Sequence, residues 1–180
     1  PGVMRVVLVI DVLNGFCKQG NLASPRLARV IAPISRLLEH ELAAGARVIF
    51  IADTHDSDDP EFEMFPPHCV KGTGEEEVVD ELKPYAAGAM LIRKNRYSAF
   101  HGTGLEKALE EIDPEEVVLV GVCTDICVMH TAADLRNRQY RVTVPLGCVE
   151  TYDAPGHDGD ETNRFAVGHM RDVLGVGIVG

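Results

Sequence analysis

The stretch EVVLVGVCTDICVMHTAADLRNR, residues 116–138, decides the fold. Its first five residues are apolar but for one Glu and mostly β-branched. A short run of this kind, without polar alternation, fits a strand covered on both faces. A turn, GVCTD at 121–125, follows, and then spaced apolar residues predict a helix over 125–138. Strand, turn and helix make half of a βαβ unit. Working outward, comparable apolar runs stand at 5–10 (RVVLVI), 47–52 (RVIFIA), 89–93 (AMLIR), 141–145 (RVTVP) and 177–179 (GIV). Helical patterns lie between them at 24–44, 75–82, 104–112 and 161–174. The first opens with Ser24 as N-cap and Pro25 at the first helical position, and Gly45 stops it. Strands alternating with helices predict an α/β protein with a six-stranded, mostly parallel sheet and helices on both faces. The chain has 180 residues and shows no repeat, low-complexity tract or linker, so one domain is expected over 1–180.

The charge balance limits the partners. There are 17 Lys and Arg against 28 Asp and Glu, a net charge of −11. Such a surface repels phosphate backbones and anionic headgroups, which argues against nucleic acid and membrane partners. The apolar start before Asp11 is too short for a transmembrane helix and lacks a small-residue cleavage pattern, so a cytoplasmic location is expected. The five cysteines, at 17, 69, 123, 127 and 148, are odd in number and form no C-x-x-C pair. That is not a secreted disulfide framework, and most of them read as small buried apolar residues.

In an open parallel sheet, ligands bind beyond the carboxyl ends of the strands. The residues at those ends are Asp11, then Asp53 and His55, then Lys94, then 121–127. A carboxylate, a carboxylate–imidazole pair, an ammonium and a thiol thus converge on one edge. Asp11 reads either as a general base or as a carboxylate capping the next turn. Cys127 sits near the first turn of its helix, where the dipole favours a thiolate and free N–H groups can hold an oxyanion; it also reads as a small buried residue. Lys94 would keep Asp11 ionised, with Arg93 and Arg96 as rival cations. Asp53 and His55 point the same way along an extended chain, and with His68 they offer one carboxylate and two imidazoles, a set that suits Zn, Fe or Mn. Glu61 is available as a fourth ligand. The irregular stretch 53–74 that carries these residues is long for a connection in a compact domain, which marks it as functional.

The motifs VIDVLNGF (9–16), ADTH (52–55), FPPHCVKGT (65–73), RKNRYSAFHGT (93–103) and GVCTDICV (121–128), in this order and over nearly the whole length, resemble the nicotinamidases of the isochorismatase-like cysteine hydrolase family. The resemblance implies strand order 3-2-1-4-5-6 and a catalytic triad of Asp11, Lys94 and Cys127. It implies a cis peptide bond at Val122–Cys123, with the N–H groups of Cys123 and Cys127 forming an oxyanion hole. It implies one divalent metal ion on Asp53, His55 and His68, with Glu61 matching a ligand found in some members. Phe16, Tyr97 and Val122 would contact substrate. The implied activity is hydrolysis of nicotinamide, and of pyrazinamide, through a cysteine thioester; the alternative is a related amidohydrolase acting on a carbamoyl or ureido compound. A homo-oligomer is expected at the family level. Two departures stand out: many members carry Trp between the metal Asp and His, where this chain has Thr54 and no Trp anywhere, and Cys123 occupies a position where Ala is common. The aromatic wall must then come from Phe16, Tyr97 or Phe62.

Overall fold

A computed structural model describes residues 2–180. In chain order the elements are β1 (Arg5–Ile10), α1 (Asn14–Cys17), α2 (Pro25–Ala28), α3 (Ile31–Ala43), β2 (Arg47–Asp53), α4 (Lys83–Ala86), β3 (Met90–Lys94), α5 (Leu105–Ile112), β4 (Glu116–Val122), α6 (Met129–Asn137), β5 (Val142–Pro145), β6 (Val149–Glu150), α7 (Gly159–Asp172) and β7 (Gly177–Val179). The sheet runs β3-β2-β1-β4-β5-β7, and every ladder is parallel. This is the expected order with one strand added. The seventh strand, β6, has two residues and pairs with Gly121 and Val122 of β4; it is too short to register as an apolar run.

Alternation along the central strands builds two core layers. Val7 and Val9 of β1, with Val118, Val120 and Val122 of β4, pack under α3 through Ile34 and Leu38. Val6, Leu8 and Ile10, with Val117 and Leu119, pack under Leu109 of α5, Leu135 of α6 and Met170 of α7. Residues 6–10 of β1 are fully buried, and burial of each such aliphatic side chain contributes about 1.5–3 kcal/mol. The helices therefore cover both faces, and the carboxyl ends of β1, β2, β3 and β4 are left together at one edge.

Three expected helices differ. The pattern at 24–44 is two helices. Ser24 does cap the first, its Oγ accepting the Arg26 N–H at 3.1 Å. A single helix would then drive the Pro33 ring into the Arg29 carbonyl, so the chain breaks at Arg29–Val30 and restarts with Pro33 in the first turn of α3, where no N–H is needed. The segment 75–82 is not a helix. Its carbonyls at Glu75 and Glu77 accept the N–H groups of Gly15 and Asn14, each at 2.9 Å, and Leu13 bridges Val78 antiparallel. Only a tight turn, Asp80–Leu82, leads into α4. The helix expected over 125–138 begins instead as a wide turn, Thr124–Val128, in which the Val128 N–H reaches back five residues to the Cys123 carbonyl at 3.2 Å.

Candidate active site

Asp11 ends β1 in a left-handed conformation, φ 55°, which Asp tolerates better than most residues. Its N–H still bonds the Ile51 carbonyl at 3.0 Å, and its Oδ1 accepts the Asp53 N–H at 2.9 Å. At the end of β4, Gly121 has φ 121°, and a Cβ there would lie 2.0 Å from the Ile10 carbonyl oxygen. Only glycine lets the chain pass β1 and deliver Cys127 beside Asp11. The Val122–Cys123 peptide bond is cis, as the resemblance implies.

Lys94 is the hub. Its Nζ lies 3.0 Å from Asp11 Oδ2, 3.2 Å from Asp53 Oδ1 and 3.4 Å from Cys127 Sγ, and it donates to the Arg96 carbonyl at 2.8 Å. The ammonium is fully buried. Burial works against its charge, but Asp11 and Asp53 outweigh that and hold its pKa well above the ordinary lysine value. Asp11 responds the other way: burial pushes its carboxyl up to about 6, against the pull of Lys94. Burial also raises the Cys127 thiol well above its usual range, despite Lys94. The resting arrangement is thus a thiol next to an ammonium and a carboxylate whose Oδ2 accepts no well-aligned hydrogen bond. That oxygen is available to a thiol proton.

Asp53 faces two ways. Its other oxygen, Oδ2, is 2.7 Å from His55 Nε2 and 3.3 Å from His68 Nε2. Glu61 Oε2 lies 3.1 Å from His68 Nε2 and 3.5 Å from His55 Nε2. All four residues are buried, and one ligand atom from each lies within 4.8 Å of the others. The outer nitrogens are already used. His55 Nδ1 meets Asp59 Oδ2 at 2.8 Å, Asp59 is held by Arg96 at 2.9 Å, and His68 Nδ1 donates to the Pro66 carbonyl at 2.8 Å. Such outer contacts fix the tautomer and aim Nε2 inward, as metal-binding imidazoles require. Two buried carboxylates facing two imidazoles also call for positive charge: burial opposes it, yet the bonds to Asp53 and Glu61 hold the His68 imidazole at about 10. Burial favours neutral Asp53, but Lys94 and the two imidazoles keep its carboxyl well below the usual carboxylate range. The donor set fits a divalent cation.

A cavity of about 440 Å³ opens over both groups. Asp53, Glu61, His68, Cys123 and Cys127 line its floor, and Phe16, Phe65, Tyr97 and Tyr152 supply aromatic walls. Phe16 and Tyr97, expected to contact substrate, are both in the cavity lining. Phe62 instead sits behind the cluster, its ring edge-on to His55 at 5.3 Å and to His68 at 5.4 Å. The Val122 side chain packs into the core under α3 and does not line the cavity. Phe65 and Tyr152 were not singled out by sequence, although Phe65 immediately precedes the Pro-Pro-His segment. Among the described residues, no Lys or Arg lines the cavity.

An isochorismatase domain model matches residues 5–173. An uncharacterized isochorismatase family protein of Bacillus subtilis (strain 168) is 34% identical over 182 residues, covering 95% of this chain and 96% of its own. Pyrazinamidase/nicotinamidase from Streptococcus mutans UA159 superposes with a TM-score of 0.88 at 31% identity, over 97% of this chain and 99% of that one. N-carbamoylsarcosine amidase from Thermoplasma acidophilum superposes with a TM-score of 0.85 at 32% identity, over 98% and 95%.

Proposed function

The chain belongs to the isochorismatase family, and on that footing we propose that it hydrolyses nicotinamide to nicotinate and ammonia, with pyrazinamide as a second substrate. The observation that carries this reading is one cavity lined both by Cys127, which lies against Lys94, and by Asp53, Glu61 and His68 of the four-residue cluster. A pyridine carboxamide has two ends to be held, a reactive amide and a ring nitrogen, and the cavity offers a partner for each.

Asp11 Oδ2 takes the Cys127 proton as the sulfur attacks the carboxamide carbon. The backbone N–H groups of Cys123 and Cys127 receive the developing oxyanion, each contributing on the order of 3 kcal/mol. Protonated Asp11 returns its proton to the departing nitrogen, and ammonia leaves a Cys127 thioester. Asp11 then accepts a proton from water as that water attacks the thioester and returns it to the departing Cys127 sulfur, which restores the thiol; the acid product gives its own proton to solvent and leaves as nicotinate. Lys94 stays charged throughout and offsets the negative charge that passes between Asp11 and Cys127. A divalent ion such as Zn, Fe or Mn, held by Asp53, His55, Glu61 and His68, would supply a Lewis-acidic anchor for the ring nitrogen. The same reading makes 1–180 one hydrolase domain acting on a small molecule.

The test is ammonia release from nicotinamide by purified protein, with and without prior chelation, beside the Cys127→Ala variant. Release that falls on chelation and disappears in Cys127→Ala, with the circular dichroism spectrum unchanged, is the expected result. Turnover near wild type in Cys127→Ala would end the thioester scheme. No release from metal-replete protein would move the substrate to a carbamoyl or ureido compound.

A further inference from the structure

His157 sits outside the two clusters, in the loop 151–158 between β6 and α7, and its ring is held on three sides. Nδ1 lies 2.8 Å from the Tyr152 carbonyl, and Nε2 lies 2.8 Å from Asp125 Oδ2. Both partners are acceptors, so satisfying both bonds places a proton on each nitrogen. The ring stacks on Tyr152, with centroids 4.1 Å apart and planes 9° from parallel, an arrangement that favours a cation. Asp125 is tied on its other oxygen as well: Oδ1 accepts from Thr151 Oγ1 at 2.6 Å, and Thr151 is fully buried. Asp125 stands in the wide turn two residues before Cys127, while Tyr152, Asp153 and Ala154 line the cavity. The imidazole therefore joins the turn that carries the sulfur to a loop that lines the same cavity.

We infer that His157, as an imidazolium between Asp125 and the Tyr152 carbonyl, is a positioning residue that clasps the loop to the nucleophile's turn and so holds Cys127 Sγ beside Asp11 and Lys94. The inference takes Cys127 as the nucleophile from the reading above. The surroundings support a charged ring. Asp125 faces it from the turn, Tyr152, Asp153 and Asp158 from its own loop and Glu161 from α7; the Cys123 thiol lies beyond Tyr152. Arg26, the neighbouring cation, is taken up by Glu150, Asp153 and Asp160. Burial lowers the imidazole's proton affinity, but the bonds to Asp125 and to the Tyr152 carbonyl outweigh it and raise its pKa above the ordinary histidine value. The clasp is thus closed on the acid side of that raised value and opens as pH rises through it.

The test follows the rate of Cys127 alkylation by iodoacetamide, located by peptide mapping, from mildly acid to alkaline pH in wild type, His157→Ala and His157→Gln. The expected result is a His157→Ala rate about tenfold below wild type on the acid side of the His157 transition, inside the ~100-fold that a misplacement of about 1 Å can cost. The two rates should converge at alkaline pH, where wild type has lost its own clasp. Gln can donate to Asp125 without titrating, so His157→Gln recovers part of the rate lost on the acid side, and its ratio to wild type still changes with pH. If His157→Ala does not fold, the Gln variant carries the comparison. Rates that superimpose, or that differ by a factor independent of pH, overturn the inference, because a merely structural histidine would give one of those. With nicotinamide, His157→Ala should lower kcat and leave KM within about twofold. Wild-type protein that releases no ammonia yet shows the converging alkylation rates would sink the substrate reading and leave the clasp standing.

Discussion

Lys94 is the side chain whose loss the site can least absorb. Removing it leaves Asp11 and Asp53 buried and facing each other's charge without a cation. Lys94→Met should therefore destabilise the protein by about 3–5 kcal/mol, the usual result of taking one partner from a buried pair. Urea denaturation checks this, and a midpoint equal to wild type would contradict it. Lys94→Arg should not rescue, since a planar fork cannot stand in for a point charge held by Asp11, Asp53, the Arg96 carbonyl and Cys127 at once. That Lys94, Asp11 and Cys127 were legible in the sequence has a physical cause. Each lies at or just past the end of an apolar run, and in a parallel sheet all such ends share one edge. Arg96 and Asp59 were not legible as supports. Arg96 works through a backbone carbonyl and through Asp59, and neither contact leaves a mark in residue type. Nothing in the sequence marks His157, because its partners lie five and 32 positions away.

The connection from β2 to α4 holds its shape through borrowed backbone bonds. His55 N–H bonds the Cys69 carbonyl, Lys71 N–H bonds the His55 carbonyl, and Val79 N–H bonds the Val12 carbonyl. Glu76 adds a side chain to this frame, its carboxylate accepting the N–H groups of Gly72 and Gly74 at 2.6 and 2.8 Å. Glu75–Glu77 thus belong to a loop although 75–82 has a helical pattern. Acidic residues suit free N–H groups wherever these occur, and in this chain they belong to a loop. Burial would raise the Glu76 pKa, but the two N–H groups outweigh it and hold it below the usual value. A depressed carboxylate contributes stability that is present above the unfolded-state pKa and is lost as pH falls through the folded one. Glu76→Gln should therefore cost on the order of 1 kcal/mol at neutral pH and nothing in strong acid. Thermal melts of the pair across that range test it, and a difference that persists in acid would refute it. The split between α2 and α3 was readable from Pro33, whose ring would meet the Arg29 carbonyl, whereas the wide turn before α6 has no residue signature.

The fold concentrates its electrostatic cost at one edge. Asp11, Asp53, Asp59, Glu61 and Lys94 are all buried there, and in that region the chain, net −11, sets Asp53 and Glu61 against two imidazoles. A cation bound to the native state and not to the unfolded chain stabilises by mass action, about 2.7 kcal/mol at a hundred times its dissociation constant. Chelation should lower Tm, and returning Zn, Fe or Mn should restore it in proportion to affinity. A Tm indifferent to both treatments would show that the four residues hold no ion. Asp53 gives this arrangement its further meaning. With one oxygen on Lys94 and the other on His55, it is a single conductor between two terminals. Linkage is reciprocal: whatever free energy a charge at the imidazole terminal adds to the proton balance of Asp11 and Cys127, that proton balance must return to the hold on the charge. The two terminals form one circuit, and a diverging sequence cannot retune either of them alone.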